Sequence, residues 1–196
     1  MQIVLKTQKE RIKMSNKKIT RFEDIPRFTK TGSYQVDIPL NHLDNYIKEM
    51  QKDMGLQLNP IFQRGHVWTE EQQIAYVEFF LRGGKTSRIV YFNCPYWHRV
   101  KSTTKYNEFV CVDGLQRLTA LLDFLHNKIP AFGTYYKDFE GKPNLLDHTL
   151  SVNVNDLQTE EEVLTWYIEM NTGGTPHTKE EIDKVKQLLE EKKELK

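Results

Sequence analysis

The chain has only two cysteines, Cys94 and Cys111, and both fall inside apolar, strand-like runs. Two such residues make no disulfide framework; they read as buried thiols in a reducing compartment. Six scattered histidines beside two cysteines give none of the spacings of a structural zinc site. No G-x-x-x-x-G-K-S/T stretch is present, which excludes nucleotide chemistry of the P-loop kind. No apolar run approaches the roughly 18 residues of a membrane span. The N-terminus shows no apolar h-region of a secretory signal. These absences lead to the expectation of a cytoplasmic protein without membrane contact. Internal repeats and linker-like stretches are also lacking, so nothing marks a second domain.

What is present describes a globular chain: 38% hydrophobic and 28% charged residues suffice for a real core under a polar surface. The net charge of +1 hides an asymmetry. Residues 1–30 carry nine Lys/Arg against three Asp/Glu, and the remainder carries 19 against 24. The expected organisation is a basic, flexible arm over 1–30 and one domain over 31–196. Such an arm can touch nucleic acid or simply be solvated.

Local patterns fill in the domain. Tyr34-Gln-Val-Asp-Ile38 alternates like a strand. Asn41 is placed to cap a helix over 41–53 with Leu43, Tyr46, Ile47 and Met50 inward. Thr69-Glu-Glu-Gln72 is a capping box and predicts a helix over 69–82, with Ile74, Val77, Phe80 and Leu81 on its apolar side. Ile89–Phe92 and Leu150–Val154 read as strands. Between 95 and 106 lies a polar, aromatic loop with Trp97, His98, Arg99, Lys101 and Lys105. It reads equally as a base-stacking surface or as a plain hairpin excursion. Thr159–Glu162 and Thr178–Glu181 are two further capping boxes and predict helices over 160–171 and 178–193. The fold expected is α+β, a small mixed sheet flanked by helices.

The stretch with the most chemistry is Phe109 to Leu125. Phe109–Val112 is a short apolar strand, Asp113-Gly114 breaks it, and Leu115, Leu118, Leu121, Leu122 and Leu125 follow at helical spacing over 115–126. Asp113, Gln116 and Arg117 therefore gather at a strand–turn–helix junction. A helix N-terminus is a natural phosphate seat, and Gly114 allows close backbone approach. The plainer alternative makes Asp113 an N-cap, Gly114 a turn and Arg117 a solvated, exposed side chain. A second candidate segment is Pro60 to Trp68, an irregular loop that sets Gln63, Arg64 and His66 beside Phe62 and Trp68. Phe62, Val67 and Trp68 can serve as its anchors. The pairing of Gln-Arg at 63–64 and at 116–117 predicts that Arg64, Asp113, Gln116 and Arg117 share one polar pocket.

Three segments now stand in order: Pro60-Ile-Phe-Gln-Arg-Gly-His-Val-Trp68, Val112-Asp-Gly-Leu-Gln-Arg-Leu-Thr119 and Ile168-Glu-Met-Asn-Thr-Gly-Gly-Thr-Pro176. Together they resemble the N-terminal domain of GmrSD-type, modification-dependent restriction endonucleases, of the ParB/sulfiredoxin-like superfamily. The likeness runs over about residues 34–185. The family motif Asp-Gly-Gln-Gln-Arg is matched by Asp113, Gly114, Gln116 and Arg117, while Leu115 replaces its first glutamine. The resemblance maps the family's "Gln-Arg … Trp" onto Gln63, Arg64 and Trp68, and its "Asn-Thr-Gly-Gly" onto Asn171, Thr172, Gly173 and Gly174.

The resemblance implies nucleotide binding and NTP hydrolysis directed to DNA in a restriction or phage-conflict system. Asp113, Gln116 and Arg117 would be catalytic, with Asp113 holding Mg²⁺. Gln63, Arg64, Gly114, Asn171, Thr172, Gly173 and Gly174 would line the nucleotide. Full-length members usually add a His-Asn-His nuclease domain. The chain is thus expected to be a stand-alone member, a subunit beside a separate nuclease, or a fragment. Two alternatives remain open: a non-catalytic DNA-binding or protein-interaction module, which Leu115 favours, and a phosphotransferase acting on nucleotides or protein hydroxyls.

Overall fold

The structure, a computed structural model, describes residues 18–25, 34–63, 65–98, 105–172 and 179–194. Its elements run β1 (Tyr34–Pro39), α1 (Leu40–Met54), α2 (Glu70–Leu81), β2 (Ile89–Asn93), β3 (Val110–Asp113), α3 (Leu115–Leu125), β4 (Thr149–Asn155), α4 (Glu160–Thr172) and α5 (Lys179–Glu194). Short 3₁₀ turns sit at Phe22–Asp24 and Tyr136–Asp138.

The four strands form one mixed sheet in the order β1-β4-β2-β3. The outer pairs are antiparallel and the central β2–β4 pair is parallel. The backbone beyond β3 does not end in open air. Gln57 donates its N–H to the Phe109 carbonyl, and its own carbonyl accepts the Cys111 N–H.

Alternation along the strands sorts the core onto two faces. Phe109 and Cys111 join Val90, Phe92, Leu150, Val152 and Val154 under α1, α2 and α3. Val110 and Val112 point the other way, to Phe62, Val163, Leu164, Trp166 and Tyr167 of the α4 side, with Val185 and Leu189 of α5. The α+β expectation holds, as one compact domain. The basic arm lies largely outside the described residues.

Two of the capping boxes close as expected. Thr69 and Gln72 exchange side-chain-to-backbone bonds at 3.0 and 3.3 Å, and Thr159 and Glu162 do so at 3.1 and 3.2 Å. Thr178, of the third, lies outside the described residues. Asn41 is not a cap: α1 begins one residue earlier with Pro39 at the cap position. Leu40 instead donates its N–H to the His148 carbonyl at 2.8 Å, so a neighbouring segment satisfies the helix start. In α2 the buried stripe is Gln73, Tyr76, Val77 and Phe80. Ile74 and Leu81 only flank it.

Arg88, buried just before β2, was not legible as a core residue. Its guanidinium donates to the carbonyls of Phe80, Gly84, Asp147 and Thr149 and lies 4.4 Å from the Phe80 ring centroid. A buried cation is tolerated there because carbonyl oxygens surround it.

Candidate functional site

The β3–α3 junction can be made by glycine alone. Gly114 has φ +103, a backbone region that side chains disfavour, and a Cβ there would come within 2.5 Å of Val90 Cγ1 and 3.1 Å of Val90 Cα. The missing side chain therefore serves close packing on β2. Leu115 is also turned inward, into the core beneath α1–α3. At the position where the family motif carries its first glutamine, this chain uses the side chain for packing.

Asp113 and Arg117 bridge the turn. Arg117 Nη2 donates to Asp113 Oδ2 at 2.5 Å, with side chains 21% and 33% exposed respectively. Arg117 is thus neither solvated nor fully exposed, contrary to the plain reading of a first-turn arginine, and Asp113 is a partner rather than an N-cap. Its Nε is buried and has no hydrogen-bond partner among the described residues; the same is true of Gln73 Oε1 on α2. One is a donor and the other an acceptor, on helices that pack against each other.

Two glutamines fasten the 60–68 loop to this junction from opposite sides. From the loop, Gln63 Nε2 donates to the carbonyls of Cys111 (3.2 Å) and Val112 (2.9 Å) in β3. From α3, Gln116 Oε1 accepts the N–H groups of Val67 (2.9 Å) and Trp68 (3.1 Å), and Gln116 Nε2 donates to the Gly65 carbonyl at 2.6 Å. These bonds fix which way the Gln116 amide points, since the reverse orientation would set donor against donor. They also bring the start of α2, two residues beyond Trp68, beside the start of α3. Two helix N-termini then face one neighbourhood, and no side chain caps that of α3.

The predicted pocket of Arg64, Asp113, Gln116 and Arg117 can be followed in part. Asp113 and Arg117 touch, and Gln116 is spent on the loop backbone. Arg64 lies outside the described residues, while its neighbours Gln63 and Gly65 are both tied to the junction. Phe62 is buried, its ring 5.2 Å from Tyr167 of α4. Trp68 packs on the core with its ring 5.4 Å from Tyr76. Val67 does not anchor by its side chain, which is exposed; its N–H does the anchoring.

Asn171 lies in the last turn of α4, four residues beyond Tyr167, and its side chain donates to that residue's carbonyl at 2.7 Å. The Phe62–Tyr167 contact sets α4 beside the same loop. Thr172 closes the helix, with its side chain outside the described residues, as are Gly173 and Gly174.

Other chemistry near the junction is quiet. Burial pushes the Tyr76 hydroxyl up to about 12, although Arg117 and Arg88 pull the other way. Burial, helped by Asp113, pushes the Cys111 thiol far up. Burial also lifts Cys94 to about 11. Both cysteines are free and buried, so neither offers a thiolate. Among the described residues no group of three or more His, Cys, Asp or Glu is placed to hold a metal ion. In the 95–106 loop, the Trp97 ring packs 5.2 Å from Tyr34 and 5.9 Å from Phe109, a structural use rather than an open stacking platform. Arg99 and Lys101 lie outside the described residues.

The model of the GmrSD restriction endonuclease N-terminal domain matches residues 40–147. The chain belongs to this family. No curated protein and no solved structure matches. The matched span runs from the first residue of α1 to just before β4, and so contains Gln63, Arg64 and the Asp113–Arg117 turn. The Asn171–Gly174 segment falls outside it. Membership makes this a restriction-system-related protein, and among the described residues no helix is long and apolar enough to cross a membrane.

Gln73, on the helix that packs against α3, is the buried polar residue that sequence reading missed. Its signal was available: it is the polar member of the stripe 73, 76, 77 and 80.

Proposed function

We propose that the Asp113 turn and the 60–68 loop together form a nucleotide phosphate site, and that the chain is the NTP-using, DNA-directed module of a restriction system. The observation that carries this is the Gln63–Gln116 clasp. It joins two segments about fifty residues apart at the start of two helices, beside an arginine already oriented by Asp113. Asp113 takes one corner of the Arg117 guanidinium and aims the remaining donors at a phosphate. Gln116 and Gln63 are positioning residues, holding the loop that carries Arg64. A lone carboxylate with Oδ2 already engaged fits Mg²⁺ only as an ion arriving with substrate phosphates, which supply most of its ligands. Mg²⁺ would there neutralise phosphate charge. The ParB/sulfiredoxin-like assignment, and a nuclease on a separate subunit, belong to this same reading.

A second reading has its own support. The Gln116 amide spends both acceptor positions and one of its two donors on the loop backbone and Leu115 is buried, so a binding module without turnover fits the same geometry. Purified protein incubated with each NTP and Mg²⁺, with and without DNA, separates the two. Phosphate release supports the NTPase. Nucleotide or DNA binding without release supports the module. Absence of any nucleotide binding refutes the phosphate site.

A further inference from the structure

A different site lies at the far end of α3. From Gln116 to Phe124 the helix rises about 12 Å, and there a cavity of about 460 Å³ opens between Leu40, Leu81, Phe124, Phe132, Tyr136, Phe139 and His148. Its size is in the range of small-molecule sites. Phe132 and Phe139 line it and yet remain 52% and 41% exposed.

The backbone holds Phe132 there against its preference. Ala131 and Thr134 exchange two backbone hydrogen bonds of 2.9 Å across Phe132-Gly133, with φ of +50 and +73 at the two turn residues. Such a two-residue hairpin turn favours Asn or Gly first, and a bulky ring at positive φ is an outlier. Glu78 pins the turn by accepting the Phe132 N–H at 2.8 Å. The strained turn sets a half-exposed ring in the lining of an aromatic cavity.

Lys137 and Lys142 stand on the lining with Glu140 as the carboxylate there, a cationic excess. Among the described residues no carboxylate pairs with either lysine. His148 is held in place, its Nδ1 accepting the Asn144 N–H at 3.1 Å and its Nε2–H donating to the Leu81 carbonyl at 2.8 Å. Rings for a flat π-face, cations for an anion and a carboxylate for a ring amino group describe one ligand class. The geometry points to a nucleobase carrying a phosphate, bound here independently of the Asp113 turn. The base stacks on Phe132 and Phe139, and Lys137 and Lys142 meet the phosphate.

The test is calorimetric titration with the four nucleoside 5′-monophosphates, with ribose 5-phosphate, and with a short single-stranded DNA. The expected result is binding of at least one monophosphate or of the DNA, and at least tenfold weaker binding of ribose 5-phosphate. Free monophosphate favoured over DNA identifies a soluble nucleotide; DNA favoured identifies a base presented by a strand. Phe132→Gly relieves the turn, so its melting temperature should stay level or rise while affinity falls about tenfold or more. Phe139→Ala should weaken binding likewise, whereas Arg117→Lys, which weakens only the separate site at the Asp113 turn, should leave the Phe132-dependent binding component intact. Equal binding of ribose 5-phosphate, no binding of any probe, or affinity lost in Arg117→Lys but kept in Phe132→Gly would overturn the site.

Discussion

At its N-terminal end α3 carries Gln116, whose amide makes three bonds to the 65–68 backbone. At its C-terminal end it carries Phe124, among rings of which two stand half in water. At the first end one arginine donor, Arg117 Nε, is buried and unmet among the described residues, as is the acceptor of Gln73 on α2, the helix packed against α3. The second satisfies its backbone and leaves apolar surface unmet. Unmet hydrogen bonds ask for a polar, directional ligand, and unmet rings ask for a flat one. One short helix thus presents two kinds of demand at its two ends, and the substitutions below separate them.

The largest effect is expected at the polar end, from Gly114→Ala. Positive-φ strain and the collision with Val90 together should cost about 2–6 kcal/mol. Urea denaturation should show a midpoint far below wild type, or no soluble protein. A variant that melts normally would mean that β2 can yield to the new methyl group.

Next comes the clasp. Gln116→Leu removes three bonds to the loop backbone and should cost about 1–3 kcal/mol, with amide exchange speeding up at Val67 and Trp68. Gln63→Leu should cost less. The double variant should lose less than the two together, because either change already frees the loop. Strict additivity would show that the two glutamines act apart.

These partners explain what could be read beforehand. Helices and strands were legible because periodicity and capping boxes are local: Thr69 meets Gln72 three residues on, and Leu118 and Leu121 repeat within a turn. Gln63 and Gln116 were marked as interesting, but their partners lie 48 to 51 residues away. No local pattern states that an amide will be spent on a remote backbone. Arg88 was silent for a related reason, since two of its four carbonyl partners, Asp147 and Thr149, lie 59 and 61 residues away. Phe132 stands in a segment with Tyr135, Tyr136 and Phe139, and nothing local in that run of rings sets one apart from the others. Its strain became visible only as a backbone angle.

The smallest effect belongs to the aromatic end. Burial raises the Asp44 carboxyl, but hydrogen bonds from Lys48 (2.6 Å) and His126 (2.9 Å) outweigh it and hold the carboxyl below its ordinary 3.8. A depressed carboxylate contributes stability that is present above its unfolded value and is lost as pH falls through its folded one. Asp44→Asn should therefore lower stability near neutrality by less than about 1 kcal/mol and flatten the acid limb below pH 3.8. An unchanged acid limb would show that the contact is purely geometric.

The central claim is that Arg117 is an oriented phosphate donor, and titration of NTP into Arg117→Lys, with a thermal melt of the same sample, tests it most directly. Lysine keeps a cation beside Asp113 but loses the planar fork. The predicted result is a melting temperature near wild type with nucleotide affinity about tenfold weaker, weaker still in Arg117→Ala. Wild-type affinity in folded Arg117→Lys and Arg117→Ala would contradict the account and leave the Asp113–Arg117 pair as a brace for the turn alone.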